Sequence, residues 1–196
     1  MKYLKTNIIV VSCYILCHGL VQLVVMPIQL HEAPEVTAFA CLIYLPHGVR
    51  VLTSWLLGWR SIPPLFLGAI GAHVTFQPES MISHLAIFDP VFLISVSIGA
   101  SAAVGAFELL KLIGLNLYAG PNRRVKWTGV LLVGIVASAL SALGQSFAFS
   151  GIAMPDVVSL VFWTYVLGDT LGLIATMLLL ALVFRCMRNG PRKTRG

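Results

Sequence analysis

Six apolar runs, at residues 8–29, 36–57, 62–76, 90–115, 128–149 and 158–184, follow one another with only short polar loops between them. The hydrocarbon core of a bilayer is about 30 Å thick, and roughly 20 apolar residues of helix cross it. In lipid every backbone N–H and C=O must be satisfied within the protein, which favours helices for runs of this kind. The expected fold is therefore all-α: a polytopic integral membrane helix bundle of about six transmembrane helices, forming one transmembrane domain. Composition agrees, with 58% hydrophobic and 10% charged residues and a mean hydropathy of +0.93. Water-soluble domains carry about 25% charged residues.

The charges assign an orientation. Lys2, Lys5, Arg60, Lys111, Arg123, Arg124, Lys126 and five basic residues of the tail at 185–196 fall on one side of the layout. Glu32, Glu35, Glu79 and Asp156 fall on the other, with Asp89 near it. Basic loops stay in the cytoplasm, so both termini are expected to be cytoplasmic. The net charge of +6 is spent on this topology, and no nucleic-acid partner is read from it; the lipid bilayer is the partner the composition demands. The basic tail could also touch anionic lipid. Cys13, Cys17, Cys41 and Cys186 lie in or beside apolar sequence without a CxxC pair and read as small buried hydrophobes. Cys13 follows Val10-Val11-Ser12, an echo of a lipoprotein cleavage site, but the apolar run continues to Leu30 and reads as a retained helix.

Two charges have no loop to live in. Arg50 stands roughly 14 residues into the second run, about 21 Å deep, and Asp169 roughly 11 residues into the sixth, about 16 Å deep, at 1.5 Å per residue. An unpaired charge at mid-membrane costs about 2.5–3.5 kcal/mol even on the lenient insertion scale. An intramembrane Arg50–Asp169 pair, direct or bridged by a ligand, is the expected compensation; the same pair could equally serve as a structural staple between helices. His47 lies three residues before Arg50 on the same helical face. Pro46 frees backbone groups, which is tolerated only against protein or a wet cavity. Together these point to an interior polar site for a small-molecule ligand.

Other residues carry less. His18 shares mid-depth with Gln22, and with His47 it is the pair considered for a haem or a metal. No further ligand stands at a fitting spacing, so neither cofactor nor metal is assigned. His73, His84 and His31 are given no metal role. Small residues at four-residue spacing (Ser95, Gly99, Ala103; Gly134, Ser138, Ala142; Gly168, Gly172) read as close helix packing. There is no Gly-rich phosphate loop, nucleophile elbow or HExxH pattern, and no catalytic residues are assigned.

Two segments carry a resemblance. Pro46-His47-Gly48-Val49-Arg50, then Leu56-Leu57-Gly58-Trp59-Arg60, then Pro64-Leu65-Phe66-Leu67-Gly68-Ala69 form one; Trp163-Thr164-Tyr165-Val166-Leu167-Gly168-Asp169-Thr170-Leu171-Gly172 forms the other. Together they resemble the first type of membrane-associated sensor domain of bacterial signalling proteins, over about a third of the chain. The resemblance implies a bacterial inner-membrane, multi-pass, sensor-like or ligand-binding protein. It places Arg50, His47 and Asp169 in recurring motifs, with Pro46, His18 and Trp163 as secondary candidates. Such domains are usually fused to kinase or cyclic-dinucleotide-synthesising domains. This chain ends a dozen residues after its last apolar run, so output is expected to pass through a signalling partner. A substrate-binding subunit of an uptake system and a cell-envelope assembly scaffold are the alternatives.

Overall fold

The computed structural model describes residues 2–32, 41–76, 88–120, 127–148 and 158–189. Among them the chain is all-helical, with no strand. Helix α1 (Lys2–Leu20) runs through a π-helical turn (Val21–Val25) into α2 (Met26–Glu32). Next come α3 (Leu45–Leu57), a 3-10 turn (Gly58–Ser61) and α4 (Ile62–Phe76). Then follow α5 (Pro90–Leu112), α6 (Trp127–Ala148) and α7 (Val158–Asn189).

Four helical stretches among the described residues are long and apolar enough to cross a membrane: Tyr3–Glu32, Pro90–Leu112, Trp127–Ala148 and Phe162–Cys186. Large apolar side chains stand exposed along them, among them Leu16, Leu23, Leu132 and Leu178. Exposed apolar surface on this scale needs a non-aqueous partner. The chain thus has the build of a membrane protein, with four candidate spans among the described residues. The remaining two runs make shorter helices. At 1.5 Å per residue, α3 covers about 20 Å and α4 about 22 Å, each less than the roughly 30 Å core.

Local chemistry explains where these helices start and stop. Pro46, Pro63, Pro64 and Pro90 all stand in first turns, where the missing N–H costs nothing. Asp89 caps α5 by accepting from the Val91 N–H at 3.2 Å. Gly58 ends α3 at φ +57°, ψ −135°, backbone that a side chain would strain. The expected helix over 36–57 is corrected: it begins only at Leu45, and residues 33–40 lie outside the described residues. Pro46 therefore starts a helix and interrupts none.

Helix α3 is the axle of the bundle, packed against α1, α5, α6 and α7. Its Val51 and Leu52 enter one apolar cluster with Phe107 of α5, Val133 of α6 and Leu173 of α7. Its Val49 enters a second, with Tyr14 of α1, Leu65 of α4 and Ala100 of α5. One end of the bundle is tied by polar contacts. Arg60 donates to the Tyr3 hydroxyl at 3.1 Å, and the Ala119 N–H reaches Trp55 O at 3.1 Å. Tyr118 stacks on Phe107 and donates to Glu108, which also pairs with Lys111 at 3.2 Å.

Burial and the neighbouring Glu108 carboxylate hold the Tyr118 phenol above its ordinary value. A phenol with a raised folded pKa contributes stability that is complete below about pH 10 and lost as pH climbs towards the folded value. Thermal unfolding of the wild type should accordingly weaken more steeply above about pH 10 than that of Tyr118→Phe. Parallel slopes for the two proteins would remove Tyr118 as the titrating group.

Candidate functional site

The polar residues of the interior gather where the backbone leaves helical form. Residues 41–44 precede α3 without helical structure, and three groups from elsewhere hold them and the first residue of α3. The Gln29 side chain accepts the Leu42 N–H at 2.8 Å, Gly168 O accepts the Tyr44 N–H at 3.0 Å, and Leu45 O lies 3.2 Å from the Thr176 hydroxyl. Non-helical backbone packed inside a protein persists only when its polar groups are satisfied in this way. Close approach is made possible by glycine. A Cβ at Gly168 would overlap Cys41 O, one at Gly172 would overlap Tyr44 O, and one at Gly48 would overlap Thr176.

Asp169 projects from α7 towards the first turn of α3 and is 5% exposed. Its Oδ2 lies 3.2 Å from His47 Nδ1 and accepts the Ser138 hydroxyl at 2.9 Å. The other ring nitrogen of His47, Nε2, lies 3.1 Å from Gly134 O. A carbonyl oxygen only accepts, so Nε2 carries a hydrogen. A second proton must then lie between Nδ1 and Oδ2, since a bare ring nitrogen facing a bare carboxylate would repel it. Whichever atom holds that proton, carboxyl and imidazole together are neutral. The N-terminus of α3, with its partial positive charge, faces the same carboxyl.

Arg50 takes a different partner from the one expected. Its Nη2 donates to the Tyr14 hydroxyl at 2.6 Å, and its Cζ lies 5.5 Å and 5.6 Å from the Tyr14 and Tyr44 ring centres. No Arg50–Asp169 ion pair forms among the described residues; the expected direct pair is replaced by His47–Asp169 and Arg50–Tyr14. Helix geometry accounts for the exchange. Three residues of α-helix advance about 300°, leaving Arg50 roughly 60° round the axis from His47. His47 meets α6 and α7, while Arg50 meets α1 and, at Gly99, α5.

The secondary candidates separate. Pro46 is fully buried in the first turn of α3. His18 is half-buried between Tyr44 and Phe76, at ring distances of 6.4 Å and 6.0 Å, and its Nδ1 has no partner. Trp163 is 62% exposed and turns away from the cluster. His18 and His47 have different neighbours, and no group of three metal-ligating side chains occurs among the described residues. An apolar groove of about 290 Å³ between α6 and α7, lined by Trp127, Leu131, Ile174, Met177, Leu178 and Ala181, contains no charged group to orient a polar ligand.

Sequence reasoning missed Tyr14 and Tyr44, which close round Arg50, and it read Ser138 and Gly134 only as small packing residues. The spacing of Ser138 and Gly134, four apart, does place both on one face of α6. Nothing local distinguishes a serine that packs from one that donates. Comparison with known protein families, with curated proteins and with solved structures finds no match.

Proposed function

We propose that this chain is a bacterial inner-membrane protein with about six crossings and both termini cytoplasmic. It binds a small ligand at the interior polar site and passes the occupied state to a partner protein, as a sensor does. One observation carries this reading. Arg50, His47, Asp169, Ser138 and His18 converge on a break in the helical backbone inside an otherwise apolar bundle. Arg50 Nε and His18 Nδ1 stay without hydrogen-bond partners there, and a bundle that served only as a scaffold has no reason to carry that cost.

The same break bears on the proposed crossing number. A sixfold count needs α3, about 20 Å long, to cross together with the non-helical residues 41–44 that precede it. The shared end of Tyr3, Arg60 and Lys111 suits the cytoplasmic face. Interrupted backbone at a binding site is also the habit of transporters, and this favours a substrate-binding transport subunit as the second reading.

Native mass spectrometry of the gently extracted full chain tests both. A retained small molecule together with a kinase or cyclase partner is the expected result. An ATPase module in its place moves the protein to transport. A chain that comes with envelope-synthesis proteins and retains neither a small molecule nor any lipid species in preference to the others would overturn the ligand-binding reading.

A further inference from the structure

Among the described residues Arg50 is a cation without a paired anion. The neutral sum of His47 and Asp169 leaves that pair no net charge to offer the guanidinium. Among the described residues no carboxylate stands within ion-pair distance of Arg50, and its one hydrogen bond goes to the Tyr14 hydroxyl. Its Nε is buried and makes no hydrogen bond. Two tyrosine faces flank the group, and they offer polarisable surface but no formal charge. A guanidinium at membrane depth rarely persists without a counter-charge.

The surroundings are nonetheless shaped for this side chain. At Gly99 of α5 an added Cβ would stand 2.9 Å from Nη2 and 3.1 Å from Cζ, so the absent side chain makes the room the guanidinium occupies. Arg50 as a residue keeps partial exposure, although its Nε is buried. Tyr44, against which the guanidinium lies, also meets the His18 ring at 6.4 Å, and His18 Nδ1 is a second buried polar atom without a partner. Two unsatisfied nitrogen groups thus flank one tyrosine.

Resting on the interior-site reading above, we infer that the ligand is an oxyanion, a carboxylate or a phosphate group, held by Arg50 with His18 beside it. The planar fork of arginine matches two oxygens of such a group, which a point charge would not. The tyrosine walls restrict the entering part to the anionic head. The group could belong to a small soluble acid or to an anionic lipid headgroup; the chemistry that recognises it is the same.

The test is thermal unfolding of the full chain in a neutral detergent. Sodium acetate and sodium phosphate are compared with sodium chloride at equal ionic strength. Phosphatidylglycerol is compared with phosphatidylcholine in mixed micelles. At about a hundredfold excess over Kd, a bound anion should raise the midpoint by about 5–10 °C. Arg50→Gln should abolish the rise. Arg50→Lys, which keeps the charge and the fold but not the fork, should weaken it at least about tenfold in apparent affinity. A rise with acetate or phosphate assigns a soluble acid, and one confined to phosphatidylglycerol assigns a headgroup. No anion-specific rise in the wild type overturns the inference, as does a full rise in a folded Arg50→Gln or Arg50→Lys protein. A neutral molecule retained in native mass spectrometry, with no anion response, would leave the ligand-binding reading standing and remove this one.

Discussion

Gly172→Ala should be among the most damaging single-methyl changes in the chain. The new Cβ would overlap the carbonyl carbon and oxygen of Tyr44. Backbone cannot rotate away as a side chain can, so α7 or the 41–44 segment has to move. Overpacking of a well-filled interior costs about 1–3 kcal/mol, and the upper end applies where the obstacle is backbone. For a chain of this size, about 3 kcal/mol lowers the midpoint of thermal unfolding by about 6–12 °C. The displacement would also pull Asp169, three residues earlier on α7, away from His47. Gly105→Ala is the control. Its Cβ would meet only Leu140 Cδ1 at 3.8 Å, an ordinary contact, and the gain in helix propensity makes it neutral or stabilising by up to about 1 kcal/mol. Equal losses for the two variants in detergent would show that α7 is not held against the backbone of residues 41–44.

The contrast between those glycines marks what could be read from the sequence. Helix positions were legible because lipid leaves an apolar run few alternatives, and the starts at Pro63 and Pro90 follow from the ring's fixed φ. The start of α3 was not legible. Residues 36–44 are as apolar as their neighbours. What keeps 41–44 out of helical form is the Gln29 side chain, 13 residues upstream of Leu42, and the Gly168 carbonyl, 124 residues downstream of Tyr44. Tertiary contacts of that span leave no local pattern. The charges were legible as anomalies, since a bilayer makes Arg50 and Asp169 costly wherever they point. Their partners were not. Depth along a helix can be counted from its ends, but a rotation of about 60° between His47 and Arg50 decides which neighbour each meets. Nor does sequence report how that rotation is set by packing on four helices at once.

The partner choice makes a prediction that separates the expected pair from the observed one. His47→Leu strips Asp169 of its imidazole and leaves a buried carboxyl with only Ser138. Breaking a buried pair by removing one member costs about 3–5 kcal/mol, because the survivor stays desolvated and unpaired. Asp169→Leu should cost a similar amount, since His47 Nδ1 then faces hydrocarbon. Removing both members leaves no orphan of the pair on α3 or α7, while on α6 Gly134 O loses the imidazole and the Ser138 hydroxyl keeps only Tyr165 O at 3.5 Å; replacing such a pair with apolar side chains is often close to neutral. The double variant His47→Leu with Asp169→Leu should therefore lose less than the sum of the singles, with a coupling of about 1–3 kcal/mol in a double-mutant cycle. Exchange of the charges, Arg50→Asp with Asp169→Arg, should bring no rescue over the single changes. It would place an aspartate against the Tyr14 hydroxyl and two tyrosine faces, and an arginine against the Gly134 and Ser138 face of α6. Rescue by that exchange, together with additive losses at His47 and Asp169, would restore the direct Arg50–Asp169 pair and take away the reason for an external anion. Coupling at His47–Asp169 without rescue leaves Arg50 in need of one.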